Sequence, residues 1–372
     1  MANIKDEREL LSKPGDTIVE TLEQLRMSQV ELAERMGKTP SKINDIVSGK
    51  EPITVKTAMQ LELVLGIDTQ FWLNRETLYR EKLSRIEQEE ALEQCKDWLK
   101  EQPTKELRKY GYLKSQKKGA GMIEEILQFY AVVSPEQWKD IYVEDYANAD
   151  FKKSSKHRES LGAMAAFLRI GEIEMRKIDL PDFDKNMFKE KLDDIRLLAS
   201  DHPEDFAQKL KDVCQTCGVG LIYSMSFPGA PISGAARWIG GNPLIQLTDR
   251  YKTNDHFWSA FFHEAGHVLL HGKKDVFIEE FNGAAVDKKK EAEANAFSDD
   301  WLIPDKFLAS IKQPITERDI KILARQVGTH PGIVAGRLHR LKIIEYHVGA
   351  GLKLKVNLDE DILQQVNSNT IK

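Results

Sequence analysis

The segment Phe261-Phe262-His263-Glu264-Ala265-Gly266-His267-Val268-Leu269-Leu270 sets the tightest limit on what this chain can fold into. Four residues advance a helix by about 400°, so on a helix His263 and His267 stand almost above one another and can offer two imidazoles to one tetrahedral metal ion. The apolar flanks bury that helix and make a dry wall beside the metal position. Glu264 projects next to it, where a carboxylate can take a proton from activated water. Asn254 or Asp255 is placed to cap the helix and Gly272 to stop it.

A metal held this way needs a third protein ligand and an open position. A histidine six residues after His267 would supply one known arrangement, but that residue is Lys273. Glu291-Ala-Glu293-Ala-Asn295-Ala-Phe297 lies on a further predicted helix and offers two carboxylates. They are about 200° apart around the helix, so only one of them can face the metal. Glu291 is favoured, because Asn295 then shares its face and can hydrogen-bond a ligand imidazole. Zn2+ suits a His, His, Glu set. His256, His271 and His339 read as packing or surface residues, although His271, one turn after His267, is placed to assist as a proton donor or substrate contact.

The other end of the chain has a different signature. Ser28-Gln-Val-Glu-Leu32-Ala33-Glu-Arg-Met36-Gly37-Lys-Thr39-Pro40-Ser-Lys-Ile43-Asn-Asp-Ile46 has the anatomy of two helices joined by a turn. Ser28 and Thr39 are the caps, Pro40 opens the second helix, and Gly37 takes the left-handed turn. Leu32, Ala33, Ile43 and Ile46 face the core. Where such a unit docks on DNA its second helix enters the major groove, which puts Ser41, Lys42 and Asn44 near bases and phosphates, with Gln29 and Thr39 near the backbone.

Bulk charge lends this no support. The chain carries 54 Lys and Arg against 59 Asp and Glu, a net −5, and within residues 1–90 we count 13 against 17, a net −4. The basic character is local: Lys38, Lys42, Lys50 and Lys56 face only Asp45 and Glu51 between residues 37 and 56. A second cluster, Lys105 to Lys118, reads as a solvated face.

Between the two ends the pattern is helical, with runs near 122–132, 135–147, 159–177 and 185–199, and no motif names a chemistry. Val219–Tyr223, Ile232–Ile239 and Leu244–Leu247 then read as a small antiparallel sheet whose last strand can receive an extended peptide. Helices are expected over 287–302, 304–311, 316–327 and 331–340. Cys214 and Cys217 read as two half-buried cysteines at a helix end. Three cysteines cannot make a disulfide framework, no run of about 18 apolar residues is present, and the amino terminus has no apolar leader. A cytoplasmic protein with no membrane span is expected.

Two resemblances sharpen these expectations. Lys13-Pro-Gly-Asp16, Ser28-Gln29, Gly49-Lys-Glu-Pro-Ile53-Thr54 and Gly66-Ile-Asp-Thr-Gln-Phe71-Trp72-Leu73-Asn74 resemble the HigA-type antitoxin branch of the Xre helix-turn-helix family over residues 11–85, with Lys13 where that family usually has His. This implies a homodimer that reads operator DNA and represses its own promoter. Leu244–Leu247, Phe262–His271, Glu291–Phe297, Trp301-Leu-Ile-Pro304 and Leu323–Leu338 resemble the ImmA/IrrE family of metallo-endopeptidases over about 185–345, with Ser298-Asp299-Asp300 where the family usually has Ala-Ala/Ser-Glu. By that resemblance His263, His267 and Glu291 are the metal ligands and Glu264 the catalytic base, and the substrate is a helix-turn-helix repressor.

The expected fold is therefore mainly α with a small α+β domain. It comprises a five-helix helix-turn-helix bundle over 1–85, a helical linker, sensing or dimerisation region over 86–184, a zincin-like metallopeptidase domain over 185–345, and a C-terminal tail. The competing expectation is a non-catalytic antitoxin or autorepressor whose C-terminal domain binds a toxin or senses a signal.

Overall fold

Short polar residues and glycines fix where the N-terminal helices begin and end. The computed structural model describes residues 4–142, 155–228, 230, 232–248, 250, 252–272, 277–278, 288–308, 311 and 313–367. In it α1 (Ile4–Glu9), α2 (Pro14–Leu25), α3 (Gln29–Arg35), α4 (Pro40–Val47), α5 (Val55–Leu65) and α6 (Thr69–Glu93) follow one another. Ser28, Thr39 and Thr54 each accept a hydrogen bond from the backbone N–H three residues on, which satisfies one orphan donor of the first turn. Gly37, at φ +62°, makes the left-handed turn between α3 and α4. Gly15 lets α2 touch the end of α4, since a Cβ there would lie 1.9 Å from the Val47 carbonyl oxygen.

Leu32, Ala33, Ile43 and Ile46 turn inward with Ile18, Leu22, Leu61 and Trp72. The Trp72 indole N–H donates to the Ile67 carbonyl at 3.1 Å, so this large side chain is buried with its polar atom satisfied. The charged run from Arg80 to Lys100 is two elements: α6 extends back to Thr69, and α7 (Lys96–Lys100) follows it.

The described residues divide into two compact units, one within 1–96 and 117–124, the other within 97–116 and 125–372. In the chain, α8 (Thr104–Lys109), α9 (Ala120–Tyr130), α10 (Pro135–Tyr142), α11 (Ser155–Met175), α12 (Lys185–Asp201) and α13 (Phe206–Thr216) precede the sheet, α9 belonging to the second unit from residue 125 on. Residues 143–147, 287 and 309–310, parts of three expected helices, lie outside the described residues, as does residue 273. Cys214 and Cys217 close α13 and are fully buried rather than half-buried, and burial pushes both thiols up.

The sheet corrects the expected topology. β1 (Gly220–Ser224), β2 (Gly234–Ile239), β3 (Asn242–Thr248) and the two-residue β4 (Phe277–Ile278) lie in the order β1-β3-β2-β4. β2 runs antiparallel to β3 and β4, but β1 runs parallel to β3, so the sheet is mixed. β3 is interior, with Ile245 facing Leu221 on one side and Ala236 on the other. Its backbone groups are already used, and an extended peptide cannot add there. α11 covers one face: the buried Gln246 amide of β3 donates to the Phe167 carbonyl at 2.7 Å and to Ser224 Oγ at 2.6 Å.

After β3 come α14 (Asn254–Leu270), which precedes β4, and then α15 (Lys288–Leu302), α16 (Asp305–Leu308), α17 (Glu317–Val327), α18 (Pro331–Arg340) and α19 (Asp359–Asn367). Thr253, not Asn254 or Asp255, is the N-cap residue of α14. Those two side chains do other work. Asn254 Oδ1 accepts from the Leu354 N–H at 3.0 Å, its Nδ2 donates to His330 Nδ1 at 3.0 Å, and Asp255 pairs with Lys353 at 2.7 Å. The segment past residue 345, for which sequence predicts a tail, is thereby tied to the first turn of α14, and Val356, Leu358 and Ile362 are buried. Among the described residues no helix is long and apolar enough to cross a membrane.

Candidate metal centre

α14 is buried along most of its length, with Trp258, Phe261, Phe262 and Ala265 in the interior. α15 lies against it, and small residues set the approach: a Cβ on Gly266 would stand 3.1 Å from Phe297 Cδ1 and 3.3 Å from Ala294 Cα. Ser298 Oγ also donates to the Ser259 carbonyl at 3.0 Å, and Asp299 pairs with Arg337 and Arg340. Residues 298 and 299, which depart from the ImmA/IrrE pattern, thus fasten α15 to its neighbours.

This approach delivers Glu291 to the two histidines. His263 Nε2 and His267 Nε2 are 2.9 Å apart, and the Glu291 oxygens lie 3.3 and 3.4 Å from them. Among the described residues these three form the one group whose ligand atoms converge as a metal would require.

The donor chemistry fits such an ion. Asn295 Oδ1, which can only accept, is 3.2 Å from His263 Nδ1, so that nitrogen carries the ring proton and Nε2 carries a lone pair. His267 Nδ1 is 3.0 Å from His271 Nδ1, and His271 Nε2 is 3.1 Å from Glu293 Oε2. Two imidazole nitrogens and a carboxylate oxygen converging in a buried place are relieved by a cation, and the N, N, O set suits zinc. Burial, opposed by Glu291, lowers His267 below the usual histidine range and keeps it neutral. Burial also opposes charge on Glu291, but its contact with the two imidazoles outweighs this and lowers its carboxyl to about 2.

Glu264 is fully buried beside the pair and fills the space in front of β2. A Cβ on Gly234 would stand 2.8 Å from Glu264 Oε1 and 3.0 Å from its Cγ, so glycine at this strand position leaves room for the carboxylate. Sequence reasoning treats Glu293 only as a rival ligand and leaves His271 without a partner. The structure pairs these two instead; the i, i+4 spacing of His267 and His271 is the signal that points to their contact.

In the N-terminal unit Thr39 caps α4, and Ser41, Lys42 and Asn44 are exposed on it while Ile43 and Ile46 face inward. Gln29 is half-buried at the start of α3. The Lys42 ammonium is held by Glu51, nine residues on.

Fold and site together define a chain in which a helix-turn-helix unit is joined to an α+β unit with a His, His, Glu cluster. Residues 18–72 match the helix-turn-helix family, of Xre type, and residues 220–339 match the IrrE N-terminal-like domain. It is 39% identical over 62 residues to an uncharacterised HTH-type transcriptional regulator, YddM, of Escherichia coli (strain K12), covering 17% of this chain and 66% of that protein. It is 38% identical over 72 residues to virulence-associated protein I of Dichelobacter nodosus, covering 19% of this chain and 67% of that protein.

Proposed function

We propose that the chain is a DNA-binding transcriptional regulator whose C-terminal domain is a zinc-dependent endopeptidase acting on a partner regulator. The observation that carries the peptidase reading is the convergence of His263, His267 and Glu291 beside the buried Glu264. These three residues would hold Zn2+, and Asn295 keeps His263 in the tautomer that presents Nε2. Zinc, when bound, supplies Lewis acidity that polarises the scissile carbonyl and makes water more acidic. Glu264 takes a proton from the attacking water at its carboxylate and delivers it to the departing amine as the C–N bond breaks and the new C–O bond forms.

The substrate is proposed to be a helix-turn-helix repressor, as the ImmA/IrrE resemblance implies. In the N-terminal unit Ser41, Lys42 and Asn44 approach bases and phosphates, Thr39 and Gln29 approach the backbone, and two chains occupy one operator. Lys42 must exchange Glu51 for phosphate, which makes binding steeply dependent on salt.

Both halves are testable in one preparation. A zinc-loaded chain should cut a candidate repressor and stop when a chelator is added; cutting that persists in excess chelator contradicts the metal. On an operator fragment, Lys42→Ala with Asn44→Ala should weaken binding by roughly tenfold or more, the lysine change lowering the salt slope by about one. Unchanged affinity would remove the DNA-contact assignment.

A further inference from the structure

We propose that Glu293 and His271 are positioning residues for His267, forming a relay that forces its Nε2 to face the metal position as a lone pair. The inference rests on the metal reading above and concerns how the chain prepares that site.

The geometry runs in one direction. Glu293 Oε2 lies 3.1 Å from His271 Nε2, and His271 Nδ1 lies 3.0 Å from His267 Nδ1. A carboxylate accepts, so it draws the His271 proton to Nε2 and leaves His271 Nδ1 as an acceptor. The donor that meets this acceptor across 3.0 Å is a proton on His267 Nδ1. His267 Nε2 is then bare, and it is this atom that stands 2.9 Å from His263 Nε2 and 3.4 Å from Glu291. In the opposite arrangement, with the proton of His271 on Nδ1, His267 would carry its own on Nε2, and a protonated nitrogen binds no metal.

Burial separates this from an incidental surface contact. The His271 side chain is 4% exposed although it ends α14, whereas that of Glu293 is 45% exposed. An exposed ion pair would add little stability, but here a buried ring is engaged at both nitrogens. Neither of those nitrogens is directed to the converging atoms of His263 and Glu291, so His271 stands behind the ligand and is not one itself. The division of α15 is the converse of ligand rivalry: Glu291 meets the Nε2 side of the histidines, while Glu293, about 200° around the helix, reaches the imidazole at the end of α14. The two ligand rings are thus fixed by different means, His263 by the neutral amide of Asn295 and His267 by a charged carboxylate acting through a second ring.

The test is zinc affinity, read by competition with a chromophoric chelator on the full chain, with melting of the metal-free proteins as the control for folding. Removing a group that orients a ligand imidazole costs about 10–100-fold in metal affinity, and losses in that range are expected for His271→Phe and Glu293→Ala. His271→Asn should recover most of the loss, because its amide oxygen can stand where Nδ1 stands and can only accept. If His271→Phe does not fold, the half-exposed Glu293→Ala still decides. Wild-type affinity in both variants overturns the relay while leaving the metal reading intact. A loss in His271→Phe as complete as that of His267→Ala overturns it too, since His271 would then be a ligand. A wild-type chain that binds no zinc overturns the relay together with the reading on which it rests.

Discussion

Glu264→Gln is expected to abolish peptide cleavage while leaving zinc affinity and thermal unfolding at wild-type values. Glutamine keeps the shape that fills the space in front of Gly234, so packing is preserved, but an amide cannot take a proton from water or return it to an amine. General acid–base catalysis contributes about 10²–10⁴-fold, and a loss in that range is expected in single-turnover cleavage. A variant that cuts at the wild-type rate would remove Glu264 from the chemistry. A variant that loses zinc would make Glu264 a ligand and displace Glu291 from that part.

The largest effect on stability is expected away from the metal, at the buried pair that ties the C-terminal segment to α14. The Asp255 and Lys353 side chains are 6% and 8% exposed and 2.7 Å apart. Asp255→Asn preserves volume, which matters because Asp255 lies against Gly336, where a Cβ would be 2.2 Å from Oδ2. The substitution leaves a buried ammonium without its counter-charge. Breaking a buried ion pair from one side costs about 3–5 kcal/mol, and it removes a negative charge from the first turn of α14, where the helix dipole favours one. Denaturant unfolding of the metal-free chain measures this. A change below about 1 kcal/mol, the scale of an exposed pair, would show that the C-terminal segment is held by its apolar contacts alone.

What sequence makes legible here is what is local in sequence. Ser28, Thr39, Pro40 and Gly37 act within one or two turns of their own position, and the helix limits they imply can be read from spacing. His263 and His267 are one turn apart, as are Glu291 and Asn295, so the faces they share follow from helical periodicity. What joins those two pairs is the close approach at Gly266 and Ala294, and nothing in the periodicity of either helix announces it. The sheet is misread for the same reason: β1 and β3 are separated by β2 in the chain, and their parallel pairing is a non-local choice that alternation of apolar residues cannot encode. Asn254 and Asp255 look like caps because a cap needs only the next turn, whereas their real partners, Leu354, His330 and Lys353, lie 76 to 100 residues away. His271 and Glu293 fall between these cases, since one of their contacts is a single turn off and the other crosses to a second helix.

Zinc bound per chain is the most direct measurement of whether His263, His267 and Glu291 form one metal centre. Metal-free protein titrated with zinc and then freed of excess should retain one ion in the wild type and none in His263→Ala, His267→Ala or Glu291→Ala, each variant remaining folded. A folded wild-type chain that retains no zinc, or variants that retain as much as the wild type, would contradict it.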